Sequence, residues 1–226
     1  DLHGGDLVLH VDAIVDRYES QFDADYDAMS DHGAALLGQS EGILTTCFAE
    51  HSFMLTLVKA RNQGKQITVY VPETRPYLQG ARLTAPALQE LGFEAYVITD
   101  GMGPHFIREG AITTYLTAAD LVAMDGTVVN KIGTLANAIA CSHYGIPYYP
   151  FAMAPDTTKT SLNDIIMENR DGGEVLRFET HATTLDSLVG AYPAFDIVDA
   201  DLVTAIITPR GVIEGRSIKA VYAQNT

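Results

Sequence analysis

From residue 43 onward, short β-rich runs recur along the chain, separated by stretches that read as helices, and this rhythm admits few architectures. The runs are ILTTC (43–47), ITVYV (67–71), EAYVIT (94–99), TYLTAADLV (114–122), GIPYYPFA (145–152) and LVTAIIT (202–208). Between most of them lie HSFMLTLVKARNQG, QGARLTAPALQELG, GPHFIREG and KIGTLANAIACSHYG, several ending on the glycine that helix C-termini favour. Strand and helix alternating every ~25–30 residues makes βαβ units and a mostly parallel sheet. Before the rhythm starts, Leu7, Val11, Ile14, Val15 and Tyr18 fall at three- and four-residue intervals, which reads as a helix over residues 7–38. The expected fold is therefore α/β: a Rossmann-like, mostly parallel sheet with flanking helices, preceded by a short helical N-terminal segment. In domain terms this predicts a helical segment over 1–40 and an α/β domain over 41–226. Residues 153–200 break the pattern, and the polar stretch TTKTSLNDIIMENRDGGEVLRFETH reads as an excursion packed near the sheet ends.

Composition narrows the function. A net charge of −15 argues against a nucleic-acid-binding face, which needs clustered Lys and Arg. It leaves room for a small anionic substrate, which a few local donors and helix N-termini can hold. The two cysteines, Cys47 and Cys141, match no zinc spacing, so the expectation is a reduced, cytoplasmic protein without a metal site. DGMG at 100–103 lacks the G-x-G-x-x-G spacing of a dinucleotide loop, and no cofactor is expected. No apolar run is long enough for a membrane span, and DLHGGDLVLH lacks the basic and apolar regions of a signal peptide.

Three segments carry candidate chemistry. Cys47 stands where an apolar run gives way to a helix-like stretch. There a helix N-terminus would favour thiolate, while a small buried hydrophobe is the competing reading. In PETRPYLQGARLTA (72–85), Glu73, Arg75, Gln79 and Arg82 gather around the start of a helix, either as an anion site or as an ordinary solvated turn. In AADLVAMDGTVVNKIGT (118–134), Asp120 interrupts an apolar strand, where desolvation would raise its pKa and suit it to acid–base work. A structural capping role for this carboxylate is equally open. Asn130 and Lys131 are read as opening the next helix, able to orient a hydroxyl and to meet an anion.

ETRPYLQGARLTA, the Asp120 segment with NKIGT, and the late PAFDIVDADLVTAIITPRGVI together resemble the methylthioribose-1-phosphate isomerase family. Its relatives are the ribose-1,5-bisphosphate and 5-deoxyribose-1-phosphate isomerases and the regulatory subunits of eukaryotic translation initiation factor 2B. The resemblance covers the chain from about residue 30 onward. It implies a catalytic pair of Cys47 and Asp120, with substrate contacts at Gln79, Asn130 and Lys131; Arg75 and Arg82 join the substrate-binding candidates from the anion-site reading of 72–85. Three departures stand out. Family members usually carry C-N-[TA]-G where this chain has Cys47-Phe48-Ala49-Glu50, and G-A-D-R where it has Ala118-Ala119-Asp120-Leu121. The family's R-G-A-P-like phosphate-binding motif is not found in these residues.

What the resemblance implies is an aldose–ketose isomerisation of a sugar phosphorylated on C1, such as 5-methylthioribose 1-phosphate. Asp120 would open the ring as an acid, and Cys47 would handle the proton at C1/C2 by an enediol or a hydride-shift route. A regulatory or sugar-phosphate-sensing protein on the same fold is the alternative. A hydrolase pairing Cys47 with His51 is a third, since four-residue spacing on a helix permits contact. The expected partners are a small sugar phosphate and a second copy in a homodimer, with no nucleic acid and no membrane. GIPYYPFAM and PAFDIVDADLVTAIIT are the apolar runs that could form a two-fold interface, or simply buried strands.

Overall fold

A computed structural model of the chain describes residues 4–223, with side chains from residue 11 onward. Leu7's side chain and the outermost ends of the two expected domains thus lie outside the described residues. The strands are β1 (Ser40–Leu44), β2 (Gln66–Pro72), β3 (Glu94–Ile98), β4 (Thr114–Ala118), β5 (Leu121–Val122), β6 (Val128–Lys131) and β7 (Tyr148–Phe151). Four two-residue strands follow in the excursion: β8 (Asn169–Arg170), β9 (Arg177–Phe178), β10 (His181–Ala182) and β11 (Tyr192–Pro193). The chain then returns through β12 (Phe195–Val198), β13 (Ile206–Thr208) and β14 (Gly211–Ile213). The helices are α1 (Gly4–Leu36), α2 (Glu50–Asn62), α3 (Ala85–Glu90), α4 (Gly103–Arg108), α5 (Thr134–Tyr144) and α6 (Ile218–Tyr222).

The central sheet has the order β14-β13-β7-β4-β1-β2-β3, parallel throughout except for the β13–β14 hairpin at one edge. From β1 the chain steps outward to β2 and β3, then crosses back to place β4 on the other side of β1. The crevice beyond the carboxyl ends of β1 and β4 is therefore a topological switch point, where open α/β sheets bind ligands. Strand alternation sends neighbours to opposite faces, so β4 feeds two cores. Tyr115 packs with Leu44, Ile107, Tyr148 and Ile206 on one face, while Leu116 packs with Met29, Phe53, Leu57 and Phe151 on the other.

The N-terminal helix runs Gly4–Leu36, 33 residues, close to the expected 7–38. Its last turns belong to the sheet's own core through Met29 and Ala34, as does Leu37 just beyond it, while Val11, Val15, Tyr18 and Phe22 are exposed. No described helix is long and apolar enough to cross a membrane.

Several boundaries differ from those read off the sequence. The first strand stops at Leu44, three residues before Cys47. TYLTAADLV is two strands, because the chain leaves the main sheet after Ala118 and β5 joins β6 and β12 in a small antiparallel sheet. Asn130 and Lys131 end β6 and do not open a helix. The β-branched Val128 and Val129 favour the strand. Gly133, at φ 100°, then turns the chain, and the Asp196 carboxylate accepts the N–H groups of Gly133 and Leu135 at 2.7 and 3.0 Å, so α5 begins only at Thr134. The two apolar runs considered for an interface are occupied within the subunit: Tyr148, Phe151, Val198, Ile206 and Ile207 are all buried.

Candidate active site

Cys47 lies in the loop between β1 and α2 with φ 67°, a left-handed conformation that is costly for a residue with a Cβ. Its geometry is imposed from the adjoining loop at the end of β2. Cys47 N–H donates to Thr74 Oγ1 at 3.0 Å, and its carbonyl accepts from Thr84 Oγ1 at 2.7 Å. The same Thr84 Oγ1 accepts Ala49 N–H at 3.2 Å. That loop is clasped in turn by Asp100, whose carboxylate accepts the N–H groups of Thr74 and Arg75 at 2.6 and 2.8 Å. The glycine of QGAR is a steric necessity: a Cβ on Gly80 would lie 1.9 Å from the Pro72 carbonyl oxygen. Both threonines stand inside the ETRP and ARLT stretches, so the motif's small polar residues are what hold the cysteine.

Asp120 follows β4, the strand next to β1, and its N–H donates to Val129 O at 2.9 Å, which ties it to β6. One and two residues further along β6 are Asn130 and Lys131, both almost wholly buried. Asn130 Nδ2 donates to Thr134 Oγ1 at 3.1 Å, which itself donates to Lys131 O at 2.6 Å. The Lys131 ammonium sits 4.3 Å from the centroid of the Phe195 ring, its cross-strand neighbour on β12. Among the described residues it forms no ion pair.

The electrostatics link these groups. Burial pushes the Cys47 thiol up, the Phe48 N–H and the Lys131 and Arg170 charges pull it back, and Asp120 raises it again. Asp120 is exposed to water, yet desolvation raises its carboxyl, against the pull of Lys131 and Arg170. Burial lowers Lys131, with Cys47 and Asp120 opposing and Arg170 reinforcing. Of the two readings of Cys47, the buried one has the stronger support: α2 starts only at Glu50, Ala49 N–H is already taken by Thr84, and burial, the largest influence, raises the thiol. The site thus sets a thiol and a carboxyl, both raised by desolvation, within the field of one buried cation.

The other candidates divide. Gln79 has its Oε1 buried without a hydrogen-bond partner, an acceptor that a ligand hydroxyl could satisfy. Arg75 and Arg82 are instead engaged by the excursion. Arg75 Nη2 donates to Arg177 O at 2.6 Å, and Arg82 pairs with Glu179 at 2.7 Å. His51 does not partner Cys47; its ring meets Tyr26 edge-on at 5.0 Å. Sequence reasoning missed Asp100, Arg170 and Phe195. Asp100 sits in the DGMG set aside as a failed nucleotide loop, and Arg170 in a stretch with no periodicity to place it.

The model of the initiation factor 2 subunit family (IF-2B) matches residues 11–215. The methylthioribose-1-phosphate isomerase of Dehalococcoides mccartyi is 37% identical over 194 residues, covering 82% of this chain and 58% of that protein. The enzyme of the same name from Thermosipho africanus is 40% identical over 198 residues, covering 82% and 56%. Among solved structures, 5-methylthioribose 1-phosphate isomerase from Pyrococcus horikoshii superposes with TM-score 0.81 at 30% identity, covering 90% of this chain and 61% of that one. The delta subunit of translation initiation factor eIF-2B from A. fulgidus superposes with TM-score 0.82 at 30% identity, covering 89% and 62%. The chain spans a little over half the length of the curated relatives it matches. By the extent of the family match and by the shared fold, the chain belongs to the initiation factor 2 subunit family.

Proposed function

We propose that the protein is an aldose–ketose isomerase acting on a 5-substituted ribose 1-phosphate, with Cys47 and Asp120 as the acid–base pair. The observation that carries this reading is the placement of a thiol and a carboxyl, each raised by desolvation, beyond adjoining strand ends at the switch point, with the buried Lys131 acting on both. The relatives named methylthioribose-1-phosphate isomerase support the substrate class. In a sugar 1-phosphate the anomeric oxygen is esterified, so the ring must be opened by protonating its own oxygen. A carboxyl with a raised pKa is suited to that step. Lys131, in no ion pair among the described residues, answers the negative charge of the substrate, and Gln79 Oε1 and Asn130 take its hydroxyls. Cys47, after giving its own proton to solvent, takes the proton from C2 as a thiolate and returns it to C1.

The test is a pair of near-isosteric variants. Cys47→Ser and Asp120→Asn are expected to keep the wild-type circular dichroism and to lose turnover by about 10²–10⁴-fold. Full activity in either removes that residue from the mechanism. A regulatory, ligand-sensing role is the second reading, favoured by the likeness to the initiation-factor subunit; saturable sugar-phosphate binding without turnover would support it. The proposed assembly is a homodimer, to be measured by light scattering.

A further inference from the structure

Most of the excursion presents its large apolar side chains to solvent, Ile166, Leu185 and Val189 among them, yet Arg170 is drawn inward to 23% exposure. Arg170 pairs with Tyr192 across β8 and β11. Glu168 holds its guanidinium through Nε at 2.6 Å and Nη2 at 3.4 Å. Its Cζ lies 4.9 Å from the centroid of the Tyr77 ring and 5.6 Å from that of Phe195, the ring on which the Lys131 ammonium sits. Backbone bonds brace the same corner: Ala194 N–H donates to Glu168 O at 2.9 Å and Ile132 N–H to Ala194 O at 3.1 Å. One aromatic ring thus seats two cations, contributed by β6 and by the excursion.

We propose that Arg170 is a positioning residue of the site: clamped by Glu168, Tyr77 and Phe195, it fixes the excursion beside the crevice, steadies the ring that seats Lys131, and presents a second positive charge to Cys47 and Asp120. The proposal rests on the functional reading given above. The charged and titratable groups involved are few. Cys47 faces Lys131, Asp120 and Arg170, and Asp120 faces Lys131 and Arg170. Lys131 faces Cys47, Arg170, Asp120 and Glu168, while Arg170 faces Glu168, Tyr192 and Tyr77, whose hydroxyl donates to Glu174 at 3.3 Å. A positive charge stabilises thiolate and carboxylate and opposes a second ammonium. Removing Arg170 therefore moves the titrations of Cys47, Asp120 and Lys131 in one direction, upward.

Iodoacetamide alkylation of the Cys47 peptide, followed by mass spectrometry from pH 7 to 11, reads this without any need for turnover. Four proteins are compared: wild type, Arg170→Met, Arg170→Lys and Glu168→Gln. The alkylation midpoint is expected to rise in Arg170→Met and to stay near wild type in Arg170→Lys. It should fall in Glu168→Gln, which removes the negative charge beside the guanidinium. An unchanged midpoint in both Arg170→Met and Glu168→Gln assigns Arg170 a purely structural role and overturns the proposal. If Arg170→Met does not fold, Glu168→Gln decides alone by the same criterion. Failure of the isomerase reading shows separately, as wild-type protein that converts no sugar phosphate; where it does convert one, the pH profile of kcat/KM shifts upward in Arg170→Met.

Discussion

Cys47 holds a left-handed backbone of the kind that costs on the order of 1–3 kcal/mol and persists only where the surroundings enforce it. The enforcement is largely Thr84, fully buried, with one hydroxyl serving both Cys47 O and Ala49 N–H. Thr84→Val keeps the shape and leaves both groups unsatisfied, so stability should fall by about 1–3 kcal/mol in denaturant titration, with turnover reduced as the thiol moves. Asp120 offers a test with opposite sign. Its folded-state carboxyl titrates above the ordinary value, so folding disfavours the charged form. That penalty is absent below the unfolded pKa, grows as pH rises, and is complete above the folded value. Asp120→Asn should therefore be at least as thermally stable as wild type at pH 7, with the advantage vanishing below about pH 4. A variant clearly less stable at pH 7 would show that the carboxylate is structural. The thiols should also separate: burial raises Cys141 to about 12, so at pH 8 alkylation should label Cys47 alone.

At the level of elements, what could be read in advance follows from local signals, and what could not depends on distant pairing. β4 was legible because TYLTA is apolar on both faces, the mark of a strand covered on two sides. The extent of β6 was not, since nothing within VVNKIGT announces that Asp196, more than sixty residues on, caps the turn at Gly133. Lys131 reads as opening a helix and meeting an anion there; cross-strand pairing with Phe195 puts it on β6 and buries it. Arg170 had no pattern to mark it, because its environment is assembled from Tyr77, Glu168 and Phe195, which lie on three separate segments. This account makes Asp196 a helix cap as well as a strand residue. Asp196→Ala should cost about 0.5–2 kcal/mol of stability and loosen the NKIGT turn, seen as faster amide exchange at Gly133 and Leu135.

For the whole molecule, the sheet order matters more than any one motif. Reversal of the chain after β3 brings β4 beside β1, and with it Asp120 into the neighbourhood of Cys47, though the two are 73 positions apart in sequence. Lys131 and Arg170 then supply local positive charge within a chain of net charge −15. Such an excess repels itself, so added monovalent salt at pH 7 should raise the melting temperature. The central claim is that this crevice isomerises a sugar 1-phosphate. It is tested most directly by phosphorus and carbon NMR of the full chain with 5-methylthioribose 1-phosphate, 5-deoxyribose 1-phosphate and ribose 1,5-bisphosphate. Conversion of at least one to its ketose, lost in both Cys47→Ser and Asp120→Asn, is the predicted result. Conversion of none, by folded protein that binds them, would contradict the claim and assign the crevice to ligand sensing.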